Sequence, residues 1–200
     1  MTTVSTSDYP ARLSIDYPDR ELDRLSTAIR IIYVIPVTIV LLFLGGSNAG
    51  VGVGGLLFMP IALMLLFRKK YPRWWFDFAL GVARFSARVT AYLLLMSDEY
   101  PSTDEDQFVD LEIDYPDATH LNRWMPLVKW FLAIPHFIVL AFLAAGAVIA
   151  TVWAWFAILF TGRYPRAAFD FIEGVMRWGL RVEAYALLLV TDEYPPFELR

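Results

Sequence analysis

Short alternating stretches, long apolar runs and helices with a polar stripe follow one another twice along the chain. From Ala11 to Tyr17, apolar Leu13, Ile15 and Tyr17 alternate with Arg12, Ser14 and Asp16. This period of two predicts a strand, ended by Pro18. Asp19 to Arg30 is polar with helical spacing, and Ile29 to Leu44 is apolar except for Arg30 and Thr38. Gly45-Gly46-Ser47-Asn48-Ala49-Gly50 has the composition of a turn. Val51 to Phe67 is apolar again and stops at Arg68-Lys69-Lys70. Each run is about 16 residues, about 24 Å as helix, against a hydrocarbon core of about 30 Å. One helix through both would bury the glycine-rich turn in lipid. The expectation is therefore a helical hairpin near residues 29–67 with Gly45–Gly55 at its tip. A third element, about Trp74 to Met96, carries Asp77, Gly81, Arg84 and Arg88 on one face of a 3.6-residue period. It reads as an amphipathic helix, with Pro72 at its first turn.

The second half repeats this order. Val109, Leu111, Ile113 and Tyr115 alternate with Asp110, Glu112 and Asp114. Leu127 to Phe160 is apolar apart from Lys129 and a few small or polar residues, too long for one span, and predicts a hairpin near 127–161 with its tip at Ala144–Ala147. A helix over 168–190 carries Asp170, Gly174, Arg177 and Arg181 on one face. The punctuation recurs as well. Ile15-Asp16-Tyr17-Pro18-Asp19 returns as Ile113-Asp114-Tyr115-Pro116-Asp117, Tyr71-Pro72-Arg73 as Tyr164-Pro165-Arg166, and Asp98-Glu99-Tyr100-Pro101 as Asp192-Glu193-Tyr194-Pro195. Period detection makes this a tandem duplication of a unit of roughly 95 residues. The expected division is a tail at 1–8, a first membrane repeat at 9–101, an acidic linker at 102–106 and a second membrane repeat at 107–200.

The fold class that follows is a mainly α membrane protein. Each repeat contributes a short β-strand, a transmembrane helical hairpin and an amphipathic interfacial helix. The strands at 11–17 and 107–115 are marginal alone and are expected to pair in a small cytoplasmic β-element, with Pro196 to Arg200 a candidate third strand. Basic residues mark the open ends of the hairpins, so the positive-inside rule puts both termini in the cytoplasm. An arrangement in which the third helices also cross, making the repeats inverted, is the minor alternative.

Composition sharpens this. Apolar residues make up 58% of the chain, above the about 45–50% of soluble domains. The net charge of −4 argues against a nucleic-acid partner, which needs a basic surface. There are no cysteines, so disulfides and thiolate chemistry are excluded. Met1 to Asp19 is polar and does not read as a secretory signal.

Several motifs resemble one family in combination: Arg163-Tyr164-Pro165-Arg166, Phe169-Asp170-Phe171, Arg177-Trp178, the closing Asp192-Glu193-Tyr194-Pro195-Pro196-Phe197, and Val128-Lys129-Trp130-Phe131-Leu132-Ala133-Ile134-Pro135-His136. They resemble the prokaryotic integral-membrane family called domain of unknown function (DUF) 4389. The second repeat matches closely. The first is a diverged copy, with Val37 in place of His136 and Lys69-Lys70 in place of Thr161-Gly162-Arg163. The resemblance implies a small membrane protein of a prokaryotic inner (plasma) membrane and supplies no catalytic residues.

The candidate lipid or partner contacts are the stripe residues Asp77, Arg84, Arg88, Asp170, Arg177 and Arg181. Arginines one turn apart repel, and more so in low dielectric, so something anionic should compensate them. Internal pairing with Asp77, Asp170 or the acidic linker is the plainer reading, and a lipid phosphate gripped by arginine is the functional one. Tyr71, Arg73, Trp74, Trp75, Tyr164 and Arg166 are candidate interfacial anchors. His120 and His136 are isolated, which does not make a metal site. His136 as a haem ligand is weighed against a packed histidine, and packing is favoured. Asp98-Glu99 and Asp192-Glu193 read as solvated helix exits rather than acid–base machinery.

No cofactor, metal or catalytic group is expected, so the chain reads as no enzyme. The leading expectation is a non-enzymatic accessory or scaffolding subunit of a membrane complex. Its expected partners are membrane lipids, anionic phospholipid among them, and a membrane protein or a second copy in a homo-oligomer. The alternative is a transporter or lipid-handling protein that uses the paired arginines to bind an anionic group.

Overall fold

The computed structural model of the chain describes residues 9–18, 21–43, 54–103, 105 and 107–199. The tail at 1–8, most of the expected first tip at Gly45–Gly55 and parts of the acidic linker lie outside the described residues. The protein is mainly helical with a small two-stranded sheet. The elements are β1 (Ala11–Ile15), α1 (Arg24–Phe43), α2 (Gly54–Arg68), α3 (Arg73–Leu93), β2 (Val109–Ile113), the short α4 (Lys129–Leu132), α5 (Ile134–Thr161) and α6 (Arg166–Ala186).

The expected strands pair with each other, antiparallel, with Ala11 opposite Ile113, Leu13 opposite Leu111 and Ile15 opposite Val109. Leu13 and Leu111 are equivalent positions of the two repeats, so the pairing is self-complementary, as in a two-fold dimer. The apolar residues of both strands are buried and the polar ones exposed. No third strand forms among the described residues. The C-terminal segment instead lies against α6, where a Cβ at Gly174 would sit 2.7 Å from the Leu199 carbonyl oxygen.

The repeats exchange their strands. β1 packs on α6 and β2 on α3. The Tyr17 hydroxyl donates to the Tyr164 carbonyl, and in the equivalent position the Tyr115 hydroxyl donates to the Tyr71 carbonyl. The Tyr71 hydroxyl reaches the Leu188 carbonyl at 2.8 Å, and the Tyr164 hydroxyl reaches that of Leu94 at 3.0 Å. Arg73 stacks over Tyr115 and Arg166 over Tyr17. One hydrophobic core therefore draws on both repeats, from Leu13 and Ala83 to Leu111 and Phe169.

The architecture is layered. The sheet covers α3 and α6. α1 packs on α3, α5 packs on α6, and α1 also meets α5. α5 runs antiparallel beside α6. Its His136 meets Trp178 near one end, its Gly146 lies against Phe171, and Thr161 leads directly into α6. Much of the amphipathic character of α3 and α6 is thus satisfied inside the molecule, where Arg84 and Arg177 meet the sheet and apolar residues meet α1 and α5, while Trp74, Phe78 and Leu93 of α3 stay exposed.

The second expected hairpin does not form. α5 runs without a break through Ala144–Ala147. Three of those four residues are alanine, the best helix former, and one interior glycine costs only about 1 kcal/mol. The apolar run is shortened at its start instead, where a break at Ala133 before Pro135 separates α4 from α5. At 28 residues, α5 is about 42 Å long. Among the described residues it is the one helix long and apolar enough to cross a membrane; α1 would be a second if its arms, bent by 55°, formed one span. Both apolar stretches end alike. Gly162 after α5 has φ 75° and Lys69 after α2 has φ 48°, a left-handed cap that glycine adopts freely and lysine less so.

The register is testable because the chain lacks cysteine. Asp16 N–H donates to Phe108 O and Asp114 N–H to Pro10 O, which makes the Ile15–Val109 pair non-hydrogen-bonded, with Cα atoms about 4.5 Å apart and within disulfide range. Ile15→Cys with Val109→Cys should oxidise and lose both thiols to alkylation. Ser14→Cys with Val109→Cys, on opposite faces, should not.

Candidate functional site

Two equivalent corners bury a cation. After α3 the chain turns through Leu95 at φ 66°, and after α6 through Leu189 at φ 56°. Left-handed leucine costs about 1–2 kcal/mol, and its appearance at equivalent positions marks a built turn. Each turn aims a carbonyl and a carboxylate at one cation. Arg30, 1% exposed, donates through Nη1 to the Ser97 carbonyl at 2.6 Å, pairs through Nη2 with Asp98, and lies 4.6 Å from the centre of the Tyr92 ring. Lys129, also 1% exposed, donates to the Thr191 carbonyl at 2.7 Å, pairs with Asp192 at 2.7 Å and faces the Tyr185 ring at 5.2 Å. The other oxygen of each carboxylate accepts a backbone N–H, from Asp23 to Asp98 and from Asn122 to Asp192, both at 2.7 Å. Each aspartate thus ties the entry of the apolar helix to the exit of the amphipathic one. Burial pushes the Lys129 ammonium below its ordinary value, and Asp192 holds it up.

Asp98 and Asp192 are therefore not solvated helix exits; that description fits Glu99 and Glu193, which are exposed. The signal that links them to Arg30 and Lys129 is recurrence, since cation and carboxylate both return in the second repeat at matching places.

The corners differ in one neighbour. His136, wholly buried, accepts at Nδ1 from the Trp178 indole N–H at 3.1 Å and stacks on Phe197 with ring centres 3.9 Å apart. An indole N–H only donates, so His136 is the neutral tautomer with its proton on Nε2. That atom has no hydrogen-bond partner among the described residues. Val37 occupies the equivalent place in the first repeat, packed with Val34, Phe85 and Val89. No group of three or more metal-ligating side chains occurs among the described residues, and His120 sits exposed beside Asp117.

The arginine stripes turn toward protein. Arg84 Nε donates to the Leu111 carbonyl at 2.9 Å, and Arg177 Nε to that of Leu13 at 3.0 Å, again across repeats. Arg177 also pairs with Glu173 at 2.6 Å. Buried Arg88 donates to the Ser102 carbonyl, and buried Arg181 lies 3.5 Å from Glu198. The compensation is thus strand carbonyls, the linker and the C-terminal segment. Asp77 and Asp170 do not provide it, because they are exposed and pair with Arg73 and Arg166 one turn earlier. Among the expected anchors, Tyr71 and Tyr164 are buried, and burial raises both phenol pKa values. Their hydroxyls serve the repeat-to-repeat contact. Arg73, Arg166 and Trp74 are exposed and Trp75 is half-buried.

Compared with protein families, the chain matches one, described as Domain of unknown function (DUF4389), over residues 24–103 and 123–198. Arg30 with Asp98 falls in the first segment and Lys129 with Asp192 in the second, whereas both strands lie outside them. No curated protein and no solved structure matches the chain.

Removing one member of a buried ion pair leaves the other uncompensated, at about 3–5 kcal/mol. Arg30→Met should destabilise the protein by that order, and Arg30→Met with Asp98→Leu should cost less than Arg30→Met alone. Lys129→Met should cost less than Arg30→Met, because Asp192 is the more exposed of the two carboxylates. Tryptophan-fluorescence melts in detergent read all three.

Proposed function

The chain belongs to the DUF4389 family, matched in two tandem segments, and from that premise we propose that it is a non-enzymatic protein of the prokaryotic inner membrane. In this reading it serves as an accessory or scaffolding subunit, with both termini on the cytoplasmic side. The observation that carries the reading is the outer face of the apolar helices. Phe142, Ile149 and Phe160 of α5 are 76%, 71% and 79% exposed. Ile32, Ile35 and Ile39 of α1, which packs on α5, and Met59 and Phe67 of α2 are exposed as well. This many large apolar side chains left exposed mark a membrane or protein contact. The opposite face, the sheet, is polar and presents Arg12, Ser14, Asp110 and Glu112. A protein with one lipid-type face and one aqueous face is suited to holding a partner at the membrane.

The lipid-handling alternative keeps one supporting feature. A mostly apolar crevice of about 270 Å³ opens between α3, α5 and α6 and receives Ser86, Thr90 and Glu183. It suits part of an acyl chain better than an anion. The engagement of Arg84 and Arg177 by strand carbonyls counts against an anion-transport role for the stripes.

Under the leading reading, the protein should stay with membranes through an alkaline carbonate wash. It should also copurify in mild detergent with a reproducible membrane-protein partner, or as a defined homo-oligomer, by mass spectrometry. A strictly monomeric particle with nothing bound would overturn the scaffolding role.

A further inference from the structure

We infer that α1, α2 and α5 lie along one leaflet, roughly in the membrane plane, so that α5 does not cross the bilayer despite its length. This rests on the membrane reading above and goes further by fixing how the protein is seated.

The argument starts from what lies beside α5. α6 runs antiparallel along it, and β1 runs along α6. Tyr9 bonds the Arg181 carbonyl, Arg177 bonds the Leu13 carbonyl, and Tyr17 meets the Phe169 ring edge-on at 5.0 Å. The sheet therefore lies beside the N-terminal half of α5, one helix layer away, with Leu13 near the level of His136 and Tyr17 near that of Gly146. Were α5 to stand across the bilayer, the Tyr17 end of the sheet and exposed Asp170, which precedes the Phe171 that meets Gly146, would be held at hydrocarbon depth. The sheet has two strands, and their outer edges are only partly paired, by Arg177 and Glu173 on β1 and by Arg84 on β2. Its outer face carries Arg12, Asp110, Glu112 and Asp114, all exposed. Open sheet edges are not tolerated in hydrocarbon, and charged side chains there are costly.

Laid in the plane, the same layers fall in their proper solvents. The exposed face of α5 carries no charged residue from Ile134 to Thr161, and its buried positions His136, Leu140, Ala147, Ala154 and Ile158 form a single stripe turned inward. The helix is apolar all round, so its lipid side is unbroken along its whole length. Helix α2 ends in Arg68-Lys69-Lys70, all exposed. Among the described residues no carboxylate lies within ion-pair distance of these three cations. Exposed Trp74 follows closely, and exposed Trp130 lies just before α5. Cations and tryptophans at the rim of an apolar face match the phosphate level of a leaflet, where long basic side chains snorkel.

The experiment uses the full chain reconstituted in vesicles, with single cysteines at the exposed positions Ser14, Trp130 and Arg163. The last two flank α5 at its two ends. A membrane-impermeant maleimide added outside should label Trp130→Cys and Arg163→Cys to the same extent as Ser14→Cys in every preparation. Labelling of the α5 ends from opposite sides would overturn the inference. As a second measurement, a depth-sensitive fluorophore at Phe142→Cys, Ile149→Cys and Phe156→Cys should report one shallow depth. A graded depth with a maximum at mid-helix would overturn it. Flotation with phosphatidylcholine vesicles containing phosphatidylglycerol should weaken about 5-fold for each of Arg68, Lys69 and Lys70 replaced by glutamine. Equal flotation by the triple variant would remove the headgroup contact. Failure of the unaltered protein to float at all would sink the membrane reading itself.

Discussion

Each repeat owns a single five-residue strand, which has no stability alone and must find another edge. The nearest matching edge belongs to the other repeat. Because the register sets Leu13 opposite Leu111, the two halves are brought together self-complementarily, and what one half does to the other is returned. Each strand lies on the other repeat's amphipathic helix, and each of those helices supplies an arginine that satisfies the facing strand's carbonyl. The tyrosines of the Tyr-Pro motifs close the same exchange from the side. An arginine on α3 or α6 is therefore a structural donor to backbone that would otherwise be unpaired against a helix, where an unmade hydrogen bond is costly.

The buried cations act within each repeat instead. Arg30 joins α1 to the turn after α3, and Lys129 joins α4 to the turn after α6. Buried ion pairs are weak evidence of stability, because desolvation offsets much of the attraction. What they specify is geometry: one cation, one carbonyl, one carboxylate and one aromatic face, twice. The family segments include both pairs and omit both strands. The helix-to-turn tie therefore lies within the family-matched segments and the strand exchange outside them. Around this common frame the repeats have diverged, with a neutral His136 locked by Trp178 and Phe197 where the first repeat has Val37.

The distribution of solvents follows from layering. The sheet exposes charge on one side, the α3 and α6 layer lies between, and α1, α2 and α5 expose apolar residues. A molecule of this kind is amphipathic as a whole body, and a bilayer leaflet or a membrane partner can satisfy its apolar side without burying the sheet.

The repeat, the strands, the polar stripes and the apolar runs can be read from the residues alone, because each is a local periodicity of side chains. The sequence also carried the family, through motifs such as Arg163-Tyr164-Pro165-Arg166. Residues linked by recurrence were legible in the same way: Arg30 and Lys129 return together with Asp98 and Asp192, although two adjacent acids before Tyr-Pro look solvated until their partners are found. Whether an apolar run folds back or continues could not be read from its length, although the alanines of Ala144–Ala147 favour helix, and packing of Gly146 on Phe171 of α6 agrees with them. Nor could periodicity tell which solvent an amphipathic face meets. Tyr71 and Tyr164 look like interfacial anchors and are core residues. The stripes of Arg84, Arg88, Arg177 and Arg181 look prepared for phosphate and meet carbonyls and carboxylates of the chain. A polar face requires some polar partner, and the residue pattern states that requirement. Which partner fills it is decided by contacts between segments about a hundred residues apart, and these exist only once the strands have crossed between the repeats.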